Sequence, residues 1–378
     1  MDFALSPEQL ELQAFVRTFL QKVVVPEVRR YDEADEFPLD LYRKAFDAGL
    51  FAGLVPREYG GIGWTALDAM VVAEELAAAC GGFATSIMVT TLPIRALMLF
   101  GTEAQQQEFL PRLTKQLTFC SFAMTEPDAG QDLSAFTTRA ERAGDDFVIR
   151  GAKQFISNAS HADFFVTVAK LSTSMKSLTA FIVPANTPGV SVGKPDRKLG
   201  QRLNNTAPVF FDDVRVPASY RLGRDGQGAE VILKSLDLSR TGIGAMGVGI
   251  ARAAIHDAIE TGKARSRWGR PLIEHEHYLM RLAKMATDVT SARLLAHYSA
   301  WKMTQGQLNR VEACMSKMTG GNVAMQVTTE VVEMLGGMGY TRELMAEKRM
   351  RDAKLLQIYE GPTTTMLSVI GGQVANTF

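Results

Sequence analysis

Glu360 stands in the stretch Gln-Ile-Tyr-Glu-Gly-Pro at 357–362, between a tyrosine and the helix-breaking pair Gly361-Pro362. The run before it has a helical pattern, so the carboxylate falls where that helix should end. The negative end of a helix dipole disfavours an anion there. A glutamate shut in among apolar neighbours such as Leu355, Leu356 and Ile358 has its pKa raised, and it can then act as a base near neutral pH. On position alone, a solvated helix-end glutamate explains the residue as well. A second candidate is Glu333-Met-Leu-Gly-Gly-Met-Gly-Tyr340. Gly336, Gly337 and Gly339 interrupt an apolar helix and offer backbone amides to a phosphate. Arg342, Lys348, Arg349 and Arg351 follow closely. A helix cap and turn accounts for the same composition.

Two strand ends carry weaker signals. In Ala123-Met-Thr-Glu-Pro-Asp-Ala-Gly130, Thr125 brings a hydroxyl and Gly130 permits close approach of a ligand. In Ala152-Lys-Gln-Phe-Ile-Ser-Asn-Ala159, Phe155 gives an aromatic face and Ser157 a hydroxyl. A strand-to-turn exit and a core phenylalanine would read the same way. Gly242-Ile-Gly-Ala-Met-Gly247 fits a dinucleotide fingerprint, but it follows a helical segment where that fingerprint needs a strand. Small residues for close helix packing explain it better. His275 and His277 stand two apart with no further ligand at metal spacing, which points to capping or surface histidines.

The elements that must position these residues come in three blocks. Ser6-Pro-Glu-Gln9 is a capping box that starts a helix, with Leu5 and Leu10 placed to staple it. Helical periodicity then fills the chain to about residue 118. Short segments rich in Val, Phe, Ile and Thr follow, spaced as in a β-barrel or sandwich. Helical periodicity returns near 226 and persists to 372 in four long stretches, as in a bundle. The expected architecture is multidomain α+β: a helical domain at 1–118, a β domain at 119–225 and a four-helix bundle at 226–378.

Lys plus Arg and Asp plus Glu are equal at 41 each, so net charge gives no reason to bind nucleic acid or an anionic membrane. The apolar runs read as interrupted by charge before they could span a bilayer. Cys80, Cys120 and Cys314 form no motif and suit a reducing compartment, and the start lacks a secretory pattern. A cytoplasmic location is expected.

Taken in order, several segments resemble the acyl-CoA dehydrogenase family over essentially the whole chain. They include "FPLDLYRKAFDAGLFAGLVPREYGGIGW", "MTEPDAGQD", "GAKQFISNA", "FFDDVRVP", "LDLSRTGIGAMGVGIA", "ARSRWGRPL" and "EMLGGMGY…EKRMRDAKLLQIYEG". The resemblance implies three domains and an FAD held between the β domain and the bundle. It implies oxidation of the Cα–Cβ bond of an acyl thioester, on CoA or a carrier protein, to the 2,3-enoyl thioester. Glu360 matches the base that removes the α-proton while hydride leaves the β-carbon for flavin N5. The base's own N–H would help bind the thioester carbonyl. Where some members carry the base on the first long bundle helix, this chain has Ser239, which cannot serve. Phe122, Met124, Thr125, Gly130, Phe155, Ser157, Arg265, Trp268, Glu333, Gly337, Ile358 and Thr364 match cofactor-binding positions. Gln131, Asp237, Arg240, Tyr359 and Gly361 match substrate positions. Arg265 and Trp268 match a pair that reaches a neighbouring subunit's FAD, which implies a homodimer or homotetramer. The implied electron acceptor is an electron-transfer flavoprotein or another acceptor; an oxidase using O2 is the alternative on the same fold.

Three positions depart from the family pattern. Gln131 replaces a serine near the thioester arm, Pro362 replaces a threonine beside the base, and Thr364 replaces a frequent glutamine. Thr363 is a candidate source of the lost hydroxyl. These departures bear on the acyl group and its carrier and leave the base in place.

Overall fold

The computed structural model describes residues 4–377. The chain begins with α1 (Pro7–Phe19), capped as the sequence predicts: the Ser6 side chain accepts from the Gln9 N–H while the Gln9 side chain bonds the Ser6 N–H. Leu10, one of the two residues placed to staple it, lies 52% exposed. After a π-helical turn and Pro26 come α2 (Val28–Ala34) and α3 (Leu39–Asp47). Next are α4 (Ala66–Ala79), α5 (Gly81–Val89), α6 (Thr91–Phe100), α7 (Glu103–Phe109) and α8 (Arg112–Lys115). Every residue of α4 from Ala69 to Ala77 is buried, as suits a helix apolar on all sides. Two of those residues are charged. Glu75 is bound by Arg17 of α1 at 2.7 Å, and Glu74 by Arg293 at 2.9 Å.

The stretch Gly81–Phe100 is long and apolar enough to cross a membrane, contrary to the expectation that charges interrupt every such run. Its one charge is Arg95. The stretch breaks into two helices between Val89 and Thr91, and most of it is buried within the fold, so it reads as core.

Eight strands follow: β1 (Phe119–Ala123), β2 (Arg139–Ala143), β3 (Asp146–Ser157), β4 (Ala162–Lys170), β5 (Leu178–Pro184), β6 (Val190–Val192), β7 (Thr206–Pro217) and β8 (Arg221–Leu222). They form one mixed sheet in the order β6-β7-β3-β2-β4-β5-β8, with β1 parallel to β4. The β3–β7 register shifts between Lys153 and Ile156. Such a bulge re-aims side chains, and Phe155 stands within it at φ 59°.

The remaining helices are α9 (Gly228–Ala264), α10 (Glu276–Thr304), α11 (Arg310–Leu335), α12 (Gly337–Tyr340), α13 (Ala346–Leu355) and α14 (Thr363–Thr377). A short hairpin, Ser266–Arg267 with Arg270–Pro271, precedes α10. At about 1.5 Å per residue, the 37 residues of α9 span roughly 55 Å. Gly242–Gly247 lies inside it, and a side chain at Gly244 or Gly247 would strike α11. A Cβ at Gly244 would meet Ser316 Oγ at 2.1 Å, and one at Gly247 the Gly320 carbonyl oxygen at 2.2 Å. The glycines therefore allow close helix packing, as the sequence predicts. His275 precedes α10 and bonds the Arg267 carbonyl at 3.0 Å, and no metal-ligand cluster occurs among the described residues.

The fourth predicted bundle stretch differs from expectation. α13 stops at Leu355, residues 356–360 form consecutive turns, and α14 follows the Gly361-Pro362 break. Glu360 is thus not on the last turn of a helix; it stands three residues ahead of one. Its φ is 52° and that of Gly361 is 99°. Positive φ at a non-glycine residue is uncommon and costs on the order of 1–3 kcal/mol.

Candidate active site

Tertiary bonds hold the turn at Glu360 in this conformation. Arg240 Nε donates to the Glu360 carbonyl at 3.1 Å, and Lys317 Nζ donates to the Gly361 carbonyl at 2.5 Å. Arg240 is itself fixed by Asp237 at 2.8 Å and touches Cys314 Sγ at 3.7 Å. Two cations from α9 and α11 therefore seize successive carbonyls after α13. The Glu360 N–H donates to no acceptor among the described residues, which leaves it available to an incoming carbonyl oxygen.

The Glu360 side chain is enclosed deep in the fold while retaining some accessible surface. Ser239 Oγ donates to its Oε2 at 2.5 Å. The same hydroxyl lies 3.1 Å from the Leu236 carbonyl. It can donate to Glu360 when the acid is ionised, or donate to Leu236 and accept from Glu360 when the acid is protonated. Burial pushes the Glu360 pKa up, against the opposing pull of Ser239, Arg240, Lys317 and Arg95. The walls are thus not only apolar, as the flanking residues predict; the charges of three cations act on the carboxylate. Burial also brings Lys317 down to about 8 and Arg95 to about 10. Sequence reasoning passed over Lys317 and Arg95, since a single cation within an apolar helix leaves no periodic trace. Ser239, dismissed there as a base, is the bonding partner of the base.

Helix α5 ties this turn to the sheet. Thr85 Oγ1 lies 3.5 Å from the Tyr359 hydroxyl, and the next residue, Ser86, accepts from Asn158 Nδ2 through its carbonyl at 2.8 Å. Tyr359 packs into the core, its hydroxyl 3.9 Å from Met246 Sδ, and burial raises its pKa. Next to Asn158, Ser157 accepts from Ser121 Oγ at 2.7 Å, and the Gln154 N–H donates to the Thr125 carbonyl at 2.8 Å. Phe122, Met124, Thr125, Phe155 and Ser157 are therefore gathered on neighbouring strand ends. Phe155 is 63% exposed and in the left-handed region.

Beneath them runs a feature the sequence did not disclose. Lys153 binds Glu126 at 2.8 Å with both side chains buried, and Glu126 also accepts from the Thr138 N–H at 3.1 Å and the Thr137 hydroxyl at 2.8 Å. Burial alone would raise the Glu126 pKa. Lys153 and these donors outweigh it and hold the group at about 2. The pair anchors the loop that carries Gly130 and Gln131. Gly130 faces open space, and Gln131 is exposed and bonds Thr365 across to α14. Ile358 and Thr364 are exposed on either side of the break.

Four predicted cofactor residues stand elsewhere. Arg265 NH1 donates to the Leu335 carbonyl at 3.0 Å, beside Gly337, whose α-carbon faces open space. Trp268 is 75% exposed. Glu333 is exposed and pairs with Arg281 at 3.2 Å. Along α9, Arg240 and Arg265 are 25 positions apart, which is roughly 35–40 Å. One chain does not bring this group to Glu360.

At the glycine turn weighed from sequence as a phosphate cradle, the Gly337 N–H meets no acceptor among the described residues. The amides of Gly336, Gly339 and Tyr340 bond chain carbonyls. Lys348, Arg349 and Arg351 are paired with Asp352, Asp257 and Asp32 at 2.5, 2.6 and 2.7 Å. Their charges are committed within the fold.

An FAD fits the residues present at the strand ends. An outward aromatic face at Phe155, with Thr125 and Ser157 beside it, suits a flat ring system with polar edges. The open α-carbon at Gly337 and the exposed indole of Trp268 suit the approach of an extended cofactor at the other cluster.

Comparison with known proteins agrees over the whole length. The chain matches "Acyl-CoA dehydrogenase, N-terminal domain" over residues 6–116, the middle domain over 121–214 and the C-terminal domain over 226–375. It is 36% identical over 377 residues to the short-chain specific acyl-CoA dehydrogenase of Clostridium acetobutylicum, covering 99% of this chain and 100% of that one. The structure of butyryl-CoA dehydrogenase from Megasphaera elsdenii superposes with a TM-score of 0.97 at 34% identity, covering 99% and 100% of the two chains. The prolyl acyl carrier protein oxidase AnaB superposes with a TM-score of 0.94 at 26% identity, covering 98% and 100%. The chain belongs to the acyl-CoA dehydrogenase family, FAD-dependent oxidoreductases that act on a CH–CH bond.

Proposed function

We propose that this protein oxidises the Cα–Cβ bond of a short acyl-CoA to the 2,3-enoyl thioester with Glu360 as base. The observation that carries the reading is the Glu360 turn itself. A glutamate is held at positive φ by Arg240 and Lys317, and its pKa is raised by burial. Strain of that kind clusters at functional sites. Ionised Glu360 takes the α-proton. Its free N–H, aimed at the thioester carbonyl, would stabilise the enolate-like charge that develops as the proton leaves. Ser239 then turns to accept from the protonated acid. FAD, when bound, supplies the two-electron acceptor for the β-hydride. Phe122, Met124, Thr125, Phe155 and Ser157 would carry its ring. Gln131, Asp237, Tyr359 and Gly361 would border the thioester, while Arg240 holds the base's backbone. An electron-transfer flavoprotein is the electron acceptor proposed for the reaction.

A second reading, an oxidase or dehydrogenase acting on a carrier-bound acyl group, is favoured by the likeness to the prolyl acyl carrier protein oxidase and by Gln131 bridging to Thr365. Turnover of one acyl chain on CoA and on a carrier protein, with and without O2, separates the two.

The test of the base is Glu360→Gln. With FAD bound, anaerobic flavin bleaching by butyryl-CoA should slow by about 10²–10⁴-fold. Bleaching at the parent rate would remove Glu360 from the reaction.

A further inference from the structure

We propose that the acyl group oxidised here ends in a carboxylate, and that Arg95 receives it. The inference rests on the thioester reading above and names the substrate class within it. Arg95 is the one charged residue of the Gly81–Phe100 stretch. Other enclosed arginines of this molecule each meet a carboxylate: Arg240 with Asp237 at 2.8 Å, Arg293 with Glu74 at 2.9 Å, Arg349 with Asp257 at 2.6 Å and Arg351 with Asp32 at 2.7 Å. Arg95 makes no hydrogen bond and no ion pair to any described residue, and its Nε is sealed from solvent without a partner. A guanidinium drawn partly out of water with nothing to bind is costly. A leucine at this position would remove that cost.

The group is not simply a neighbour of the base. Arg95 and Glu360 feel each other's charge, yet the Glu360 carboxylate bonds Ser239 and not Arg95. Arg95 instead lines a cleft of about 510 Å³, the size of ordinary small-ligand pockets. Leu54, Trp64, Met98, Leu238 and Met303 give the cleft apolar walls. Leu238 is adjacent on α9 to Ser239, the partner of the base. The cleft, joined to the base through the Arg95 charge that acts on Glu360, thus has hydrocarbon walls and one unpaired cation. A chain with methylenes between its thioester and a terminal carboxylate would satisfy both. A plain alkyl chain would leave the cation desolvated and alone, which discriminates against it. The carboxylate takes no part in the chemistry: the α-proton still goes to Glu360 and the β-hydride to the cofactor.

The test uses the FAD-loaded protein and anaerobic flavin reduction by CoA thioesters in length-matched pairs: succinyl with butyryl, glutaryl with pentanoyl, adipyl with hexanoyl. In at least one pair the carboxylated member should give the higher kcat/KM. Arg95→Met should lower that value by about 10²–10³-fold and reverse the ranking in the pair, while Arg95→Lys keeps the ranking. Because the Arg95 charge also acts on Glu360, the readout is the ratio within each pair, which a change in the base alone would not move. Preference for the alkyl member at every length, or equal slowing of both members in Arg95→Met, overturns the inference and leaves the dehydrogenase reading standing. If neither kind of thioester reduces the flavin, both fall. The ranking in the parent protein decides the matter even where Arg95→Met does not fold.

Discussion

Glu360 combines an enclosed carboxylate with a hydrogen bond from Ser239. Its type, its tyrosine neighbour and the breaker pair marked it in the sequence, whereas α13 itself ends at Leu355 and turns carry the chain on to Glu360. The tension lies in the backbone, at φ 52°, and dihedral angles do not show in composition. Lys317 and Arg95 could not be found from the chain because each reaches the site across a long sequence separation, and Ser239 was marked there only as a residue that cannot be the base. Their charges and bonds set the pH behaviour. A base must be ionised to act, and burial raises the Glu360 pKa above the ordinary 4.5. The acid limb of kcat/KM is therefore expected above that pH, with activity lost as pH falls through it. The Ser239 hydrogen bond pulls the pKa down. Ser239→Ala should shift the acid limb to higher pH in a kcat/KM profile with one thioester. An unmoved limb, or one shifted to lower pH, would mean that the hydroxyl does not stabilise the ionised base.

Among the elements, those fixed by local rules were read well and those fixed by distant partners were not. The Ser6 capping box and the small-residue seam of α9 follow from neighbours in sequence. The end of α13 does not. Leu355 to Tyr359 continue a helical pattern, but Arg240 and Lys317 capture the next carbonyls and the chain turns instead. The Phe155 bulge was hidden for the same reason, since it depends on the register of β3 against β7. The seam gives a sign test. Gly→Ala within a helix normally stabilises by about 0.5–1 kcal/mol. At Gly372 in α14, where an added Cβ meets nothing within 4 Å, that gain is expected. At Gly247 the Cβ would fall 2.2 Å from the Gly320 carbonyl oxygen, so Gly247→Ala should cost about 1–3 kcal/mol through forced separation of α9 and α11. Thermal denaturation of the two variants should move in opposite directions. Equal shifts would show that α9 and α11 can part freely.

On the scale of the whole molecule, three blocks of periodicity were enough for the architecture, while the arrangement of the cofactor residues needed the length of α9. Arg265, Trp268, Glu333 and Gly337 gather at one end of that helix, roughly 35–40 Å from the Arg240 turn that holds Glu360. If both groups serve one FAD, they must come from different chains. The exposed apolar side chains Leu279, Met280 and Leu294 along α10 provide a surface that a second copy would cover. Light scattering is expected to give a mass of two or four chains. A mixing experiment is sharper. In a dimer with shared sites, a Glu360→Gln chain lacks the base and an Arg265→Glu chain lacks the cofactor contact, so each homodimer is impaired. Co-expression creates hybrids in which one site combines the intact Glu360 of the second chain with the intact Arg265 of the first. That site should recover flavin reduction by thioester. Hybrids no more active than either parent would place Arg265 outside the partner's site, and a monomer that binds FAD fully would remove the need for a second chain.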